Sequence, residues 1–296
     1  MTRRLTSAAP GADESGHDAA TTLMLAERAL SVKRRLLAMC QQARAIHVGS
    51  SLSCAEILVF LQFAWMRADD RLVLSKGHAA ATLYSLLAET QVLSDQQIAS
   101  FYRDDTELPA LPSFHLAPHI PFATGSLGHG LSLCAGMTLG ARLNQQPRRF
   151  FCVTSDGELD EGSVWEAALF IAHHRLTNLI WIVDRNQLQA IGRTEDVLAL
   201  EPLDAKLRAF GFHVITLDGH DFTSWLAARE ECAAVWAARP QPVAIIASTI
   251  KGRGLGSLQD RVDSHYGPLS EAHYAEAFAE LEREQALLSN GYRHAR

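Results

Sequence analysis

The sequence predicts an α/β fold, a doubly wound and mostly parallel sheet flanked by helices. Two patterns carry that expectation. Residues 150–184 read strand, polar turn, helix and strand, a βαβ unit whose strands are parallel and whose crossover is right-handed. Two further β-rich runs, 212–217 and 242–249, follow at intervals filled by helical periodicity, as repeated winding of one sheet requires. No Pro/Ser/Gly-rich linker divides residues 21–285, so the 296 residues read as one domain over 21–288, between a disordered leader (1–20) and a frayed tail (289–296).

Taken in order, residues 21–40 place Leu23, Ala26, Leu30 and Leu37 at helical spacing with Arg and Lys between them. Ser53 followed by Glu56 gives a capping-box pattern ahead of an apolar helix over 53–66. Residues 71–75 form a short apolar run that ends in Ser75-Lys76-Gly77-His78, and helical spacing resumes over 79–89 and 94–102. The stretch 108–124 is irregular, with prolines and histidines throughout. A Gly- and Ala-rich helix over 128–143 suits close packing against another backbone, of its own sheet or of a partner. Strand 150–154, turn 155–162, helix 163–176 and strand 179–184 follow, and 271–288 closes the chain as a charged amphipathic helix.

Composition narrows the function classes. Lys+Arg 27 against Asp+Glu 33 gives a net charge of −6, against an extended nucleic-acid surface, which needs a basic excess. No apolar run approaches the ~20 residues of a membrane-spanning helix, and no secretory signal pattern is present. Five widely spaced cysteines without a C-x-x-C pair disfavour a disulfide framework or zinc site and point to a reduced, cytoplasmic compartment. No G-x-G-x-x-G opens a helix after a strand, which excludes a nicotinamide-binding fold of that type.

The chemistry gathers at the strand ends. Asp156 and Gly157 follow the first strand of the βαβ unit and Asn186 follows the second. Parallel pairing brings both exits to one sheet edge, where open α/β sheets bind ligands. A carboxylate, a carboxamide oxygen and a carbonyl from the loop 186–188 make an all-oxygen set suited to Mg²⁺ completed by phosphate and water. Gly157 permits close approach to a diphosphate, and the helix start near Glu161 favours anions. An isolated Asp-Gly is ordinarily a turn and an Asn after a strand ordinarily a loop residue; their spacing across a helix lifts the set above that reading. Of 13 histidines, His173, His174 and His294 suit a helix surface or tail, whereas His78 and His265 each sit in a Gly-flanked loop.

Ser155-Asp156-Gly157-Glu158-Leu159-Asp160-Glu161-Gly162, the helix with Trp165-Glu166-Ala167, Leu176-Thr177-Asn178-Leu179-Ile180 and Asp184-Arg185-Asn186 together resemble the thiamine diphosphate motif of transketolases. Ser75-Lys76-Gly77-His78-Ala79-Ala80, Thr124-Gly125-Ser126-Leu127-Gly128, Lys251-Gly252-Arg253-Gly254 and His265 resemble further landmarks of that family, in its order, over roughly residues 22–285. The resemblance implies Mg²⁺, or Ca²⁺ or Mn²⁺ as a substitute, at Asp156, Asn186 and the Leu188 carbonyl. It implies the diphosphate at Gly157, with Ser50, Glu158 and Lys251 also toward the cofactor, and Gly125 and Leu127 lining it. His78 and His265 would reach the diphosphate and reacting centre, and His47 would contact substrate or cofactor. His115 would be a substrate-contacting loop histidine, and Glu161 the acidic residue that links two cofactor sites of a dimer. Two positions depart from the family pattern: Ser155 stands where Gly is usual, and His129 where many members have Gln.

The same resemblance implies ketol transfer between sugars. It also implies a missing half, because the family activates the cofactor through a Glu of a pyrimidine-binding domain. A separately encoded subunit carrying the pyrimidine-binding and C-terminal domains is expected, in an α2β2 heterotetramer. The alternatives are a related thiamine diphosphate-dependent carbon–carbon ligase of specialised sugar metabolism, the α subunit of a 2-oxo acid dehydrogenase, and a non-catalytic paralogue.

Overall fold

A computed structural model describes residues 13–294. Five parallel strands form one sheet in the order β1-β2-β3-β5-β4: β1 Arg71–Leu74, β2 Phe150–Ser155, β3 Leu179–Arg185, β4 His213–Asp218 and β5 Val243–Ser248. The doubly wound α/β class and all the expected strands are present. Side chains alternate between two apolar cores. Phe151, Val153, Ile180, Ile182, Val243 and Ile245 share one core with the first helix, Asp13–Ala43, which has Ala80–Glu89 and Glu271–His294 beside it. Phe150, Cys152, Trp181, Val183, Ala244 and Ile246 pack under His129–Leu143 and Gly162–His173. Strands buried on both faces explain why 179–184 reads as a continuous apolar run rather than an alternating one.

Three boundaries differ from expectation. The first helix begins at Asp13, so residues 13–20 are helical rather than part of a leader, and residues 1–12 lie outside the described residues. The last helix runs to His294 and takes in most of the expected frayed tail. The single helix expected over 53–66 is two short pieces, Ala55–Phe60 and a π-turn Leu61–Trp65, and Ser53 instead closes a separate helix, Val48–Ser53. Ser53 caps nothing: its hydroxyl donates to Asp184 (2.6 Å), and Glu56 is buried in an ion pair with Lys33. The true capping box is Ser94 with Gln97, at the start of Asp95–Ala99.

Register places the functional edge. Ser155 pairs with Asp184 and Asp184 with Ala247, so the residues just beyond β2, β3 and β5 emerge together.

Candidate active site at the sheet edge

A cavity of about 270 Å³ opens at this edge. Asp156 and Gly157 enter it from β2, Asn186 and Leu188 from β3, Lys251 from beyond β5 and His78 from beyond β1. Asp156 is fully buried. Its Oδ1 accepts from the Gly157 amide (2.8 Å), and its Oδ2 from the Gln187 amide and Arg185 Nη1 (3.2 Å). Burial, followed by the charge of Asp184, raises its carboxyl to about 6, outweighing Arg185. Desolvation and Asp184 thus outweigh what Arg185 and the two amides return to the ionised form.

Asn186 is buried, and its Oδ1 accepts from the Leu188 amide (3.1 Å); the Leu188 carbonyl accepts from Lys251 Nζ (2.9 Å) and keeps a second lone pair. Among the described residues no three His, Cys, Asp or Glu side chains cluster as a metal cage. The available set is one carboxylate, one amide oxygen and one carbonyl, which fits Mg²⁺ held partly by phosphate oxygens. At Gly157 a Cβ would lie 2.8 Å from Gln189 Cγ, so the missing side chain is what lets the two strand exits close on each other. Ser155 lies in β2 and is not among the positive-φ residues, so a side chain is tolerated where the family usually has Gly.

Opposite this edge three imidazoles meet, His47–His78, His47–His265 and His78–His265, with ring centroids 5.4, 5.0 and 5.5 Å apart. His47 takes a left-handed φ of 64°, rare for a residue with a side chain, and is held there by the hydrogen bond its backbone N–H donates to the His265 carbonyl (2.9 Å). Its Nδ1 is buried without a partner. Burial lowers all three imidazoles, His78 well below the ordinary range and His265 to about 3, and the Lys251 ammonium adds to the effect. The rings are therefore uncharged at neutral pH and can donate or accept protons. Lys251 Nζ lies 2.5 Å from His265 Nδ1; burial, then the charge of Lys76, lower its ammonium to about 8.

His47, Ser50, His78, Gly125, Leu127, Asp156, Gly157, Asn186, Leu188, Lys251 and His265 thus share one cavity. Three expected residues do not line it. Glu158 lies beneath the turn, accepting from Ser75 Oγ, the Gly128 amide (2.9 Å) and the Ser155 amide (3.2 Å). His115 is exposed and stacked on Phe114; from the same proline-rich loop, Leu111 reaches the wall instead. Glu161 is exposed at the N-cap of Gly162–His173, and His129 is exposed at the start of its helix.

Sequence reasoning missed Gln189, Ala190 and Tyr266, which also line the cavity. Tyr266 packs on His265 and His47 at 4.6 and 4.9 Å, and its place beside His265 was the available signal. Also missed was the polar layer outside the wall, where Lys76 meets Asp184 and donates to the Ser50 carbonyl (2.8 Å).

The sequence matches the family described as transketolase, thiamine diphosphate binding domain, over residues 26–285. The chain belongs to that family. It is 39% identical over 249 residues to the 6-deoxy-6-sulfo-D-fructose transketolase subunit SqwG of Clostridium sp. (strain MSTE9), covering 81% of this chain and 90% of that one. It is 35% identical over 252 residues to one subunit of the apulose-4-phosphate transketolase of Actinobacillus succinogenes, covering 82% of this chain and 90% of that one. The structure of Campylobacter jejuni transketolase superposes with a TM-score of 0.80 at 29% identity, over 87% of this chain and 42% of that one. Membership of this family accounts for the parallel sheet and its flanking helices. No helix among the described residues is long and apolar enough to cross a membrane, and all five cysteines are unpaired.

Proposed function

We propose that the chain is the diphosphate-binding subunit of a two-chain transketolase, moving a two-carbon ketol unit from a ketose to an aldose with thiamine diphosphate and Mg²⁺. The observation that carries this is the cavity itself, an all-oxygen cation edge at Asp156, Asn186 and the Leu188 carbonyl facing the imidazoles of His47, His78 and His265. Asp156, Asn186 and Leu188 would hold Mg²⁺, and the Gly157 backbone and Lys251 would meet the diphosphate. Bound thiamine diphosphate supplies a thiazolium carbon able to carry carbanion character. His47, His78 and His265 move protons at the sugar's hydroxyl and carbonyl oxygens. Glu161 would act across a subunit boundary, and its exposure and freedom from a capping bond support that reading.

The partner is a separate subunit with the pyrimidine-binding and C-terminal domains, in an α2β2 assembly. Two relatives covered over 90% of their own length by this chain carry the name subunit, whereas the alignment covers 42% of the Campylobacter enzyme. The helix His129–Leu143 supports a partner on that face: a Cβ at Gly136 or Gly140 meets nothing within 4 Å, and Leu143 and nearby Leu169 are 74% and 59% exposed. Five free thiols suit a reducing, cytoplasmic location.

The test is reconstitution with the partner, reading ketol transfer and the Mg²⁺-dependent binding of thiamine diphosphate. Asp156→Ala removes that binding. Retained binding in the variant overturns the site, and turnover by the chain alone overturns the two-chain reading.

A further inference from the structure

Beside the cavity, but not on its wall, three buried ionisable side chains stand in line. Lys33 of the first helix pairs with Glu56 Oε1, and Glu56 Oε2 lies 3.1 Å from His220 Nδ1, in the loop after β4. Their side chains are 2%, 7% and 9% exposed. His220 Nε2 then accepts from the Ile250 amide at 2.9 Å. A backbone N–H can only donate, so Nε2 carries the lone pair, and in the neutral ring the proton is on Nδ1. Nδ1 and Glu56 Oε2 lie at ion-pair distance without the geometry of a hydrogen bond.

Ile250 immediately precedes Lys251, the cation that meets the Leu188 carbonyl and His265 within the cavity. The chain here has left β5, and backbone carbonyls hold its flanks: Thr249 N donates to the Arg185 carbonyl (3.1 Å) and Gly252 N to the Gly49 carbonyl (3.0 Å). At Ile250 the acceptor is a side chain.

We propose that His220, through its bond to the Ile250 amide, is a positioning residue that fixes Lys251 against Leu188 and His265 at the diphosphate end of the cavity. A buried carboxylate close to one imidazole nitrogen favours a proton there and leaves the other nitrogen as acceptor, an arrangement that can orient a working group. It is a costly one here, because apolar residues of similar volume would fill the same space without burying charge. Burial alone would push the Glu56 carboxyl up; Lys33 and then His220 outweigh it and hold the group ionised, at about 2. The assignment rests on the proposed function only in taking the diphosphate as what Lys251 meets.

The experiment uses the full chain as His220→Leu and His220→Gln; the carboxamide oxygen of Gln restores an acceptor. Three quantities are read: hydrogen exchange at the Ile250 amide, the His265 ring resonances by NMR, and the affinity for thiamine diphosphate with Mg²⁺ in the reconstituted complex. His220→Leu should speed Ile250 exchange about tenfold or more, shift the His265 resonances and weaken cofactor binding about tenfold. His220→Gln should restore all three, and thermal melts of both variants check folding. The proposal is overturned if Ile250 exchange or the His265 resonances stay at wild-type values in His220→Leu, or if Gln and Leu behave alike. Faster exchange with unchanged cofactor affinity overturns it too. If wild type itself takes no cofactor with Mg²⁺, the proposed function fails, and the His265 resonances still decide the positioning of Lys251.

Discussion

Lys76 and Asp184, both 0% exposed, form an ion pair outside the cavity wall that ties the exit of β1 to the end of β3. Asp184 also accepts from Ser53 Oγ (2.6 Å) and Thr249 Oγ1, so the exits of three strands and the helix Val48–Ser53 converge on one carboxylate. Burial pushes its carboxyl up, and Lys76 outweighs that and holds it below the ordinary range. Removing one partner strands a charge with no water to reach it. Lys76→Met and Asp184→Asn should each cost about 3–5 kcal/mol in urea unfolding, and the double variant less than their sum. Costs below about 1 kcal/mol, the range of an exposed pair, would refute the description.

Glu158 separates a structural role from the cofactor role its motif implied. Oε1 accepts from Ser75 Oγ and the Gly128 amide, and Oε2 from the Ser155 amide. Glu158→Gln turns an NH₂ toward one of these donors, at a cost of about 1–3 kcal/mol. Affinity for thiamine diphosphate should change by less than about threefold, since no Glu158 atom reaches the wall. A loss of affinity larger than the loss of stability would return Glu158 to the cofactor site.

These two cases mark where sequence reading worked and where it stopped. Asp156 and Asn186 were legible because parallel pairing fixes where strand exits go, and the register Ser155–Asp184 delivers them as expected. Within Glu158, Asp160 and Glu161, by contrast, nothing local says which carboxylate turns inward, since that depends on amides at Gly128 and Ser155. Ser53 and Glu56 fitted a capping box by spacing, but tertiary partners at Asp184 and Lys33 took both side chains. His115 and Leu111 share one irregular loop, and only its tertiary path decides which of them reaches the cavity. The Lys76–Asp184 pair joins positions so far apart in the chain that no motif contains both.

Two glycines predict opposite outcomes. At Gly77 a Cβ would sit 2.7 Å from the Thr124 carbonyl carbon and 2.8 Å from the Gly125 nitrogen, backbone that cannot step aside. Gly77→Ala should cost about 1–3 kcal/mol by thermal or urea unfolding and weaken cofactor binding, because the displaced segment carries Gly125 and Leu127. At Gly136 the same Cβ meets nothing within 4 Å. Gly136→Ala should stabilise the isolated chain by about 0.5–1 kcal/mol through helix propensity. Sedimentation of the variant with its partner chain tests the face directly: unimpaired association would remove this part of the helix from the proposed interface.

Acid sensitivity should reside partly in Glu56. Its carboxyl lies at about 2 in the fold against an ordinary 4.5, because Lys33 and then His220 outweigh the opposing effect of burial. A depressed folded value means that the unfolded chain binds more protons in this window. The stabilisation is therefore fully present above about pH 4.5 and is lost as pH falls through about 2. The gap between the two values corresponds to about 3 kcal/mol. Glu56→Gln should be less stable than wild type by at least about that amount at pH 7. Urea unfolding at stepped pH should show the two curves converging toward pH 2, since protonated Glu56 leaves Lys33 as unpaired as the amide does. A difference that stays constant with pH would mean that Glu56 stabilises by packing and not by charge.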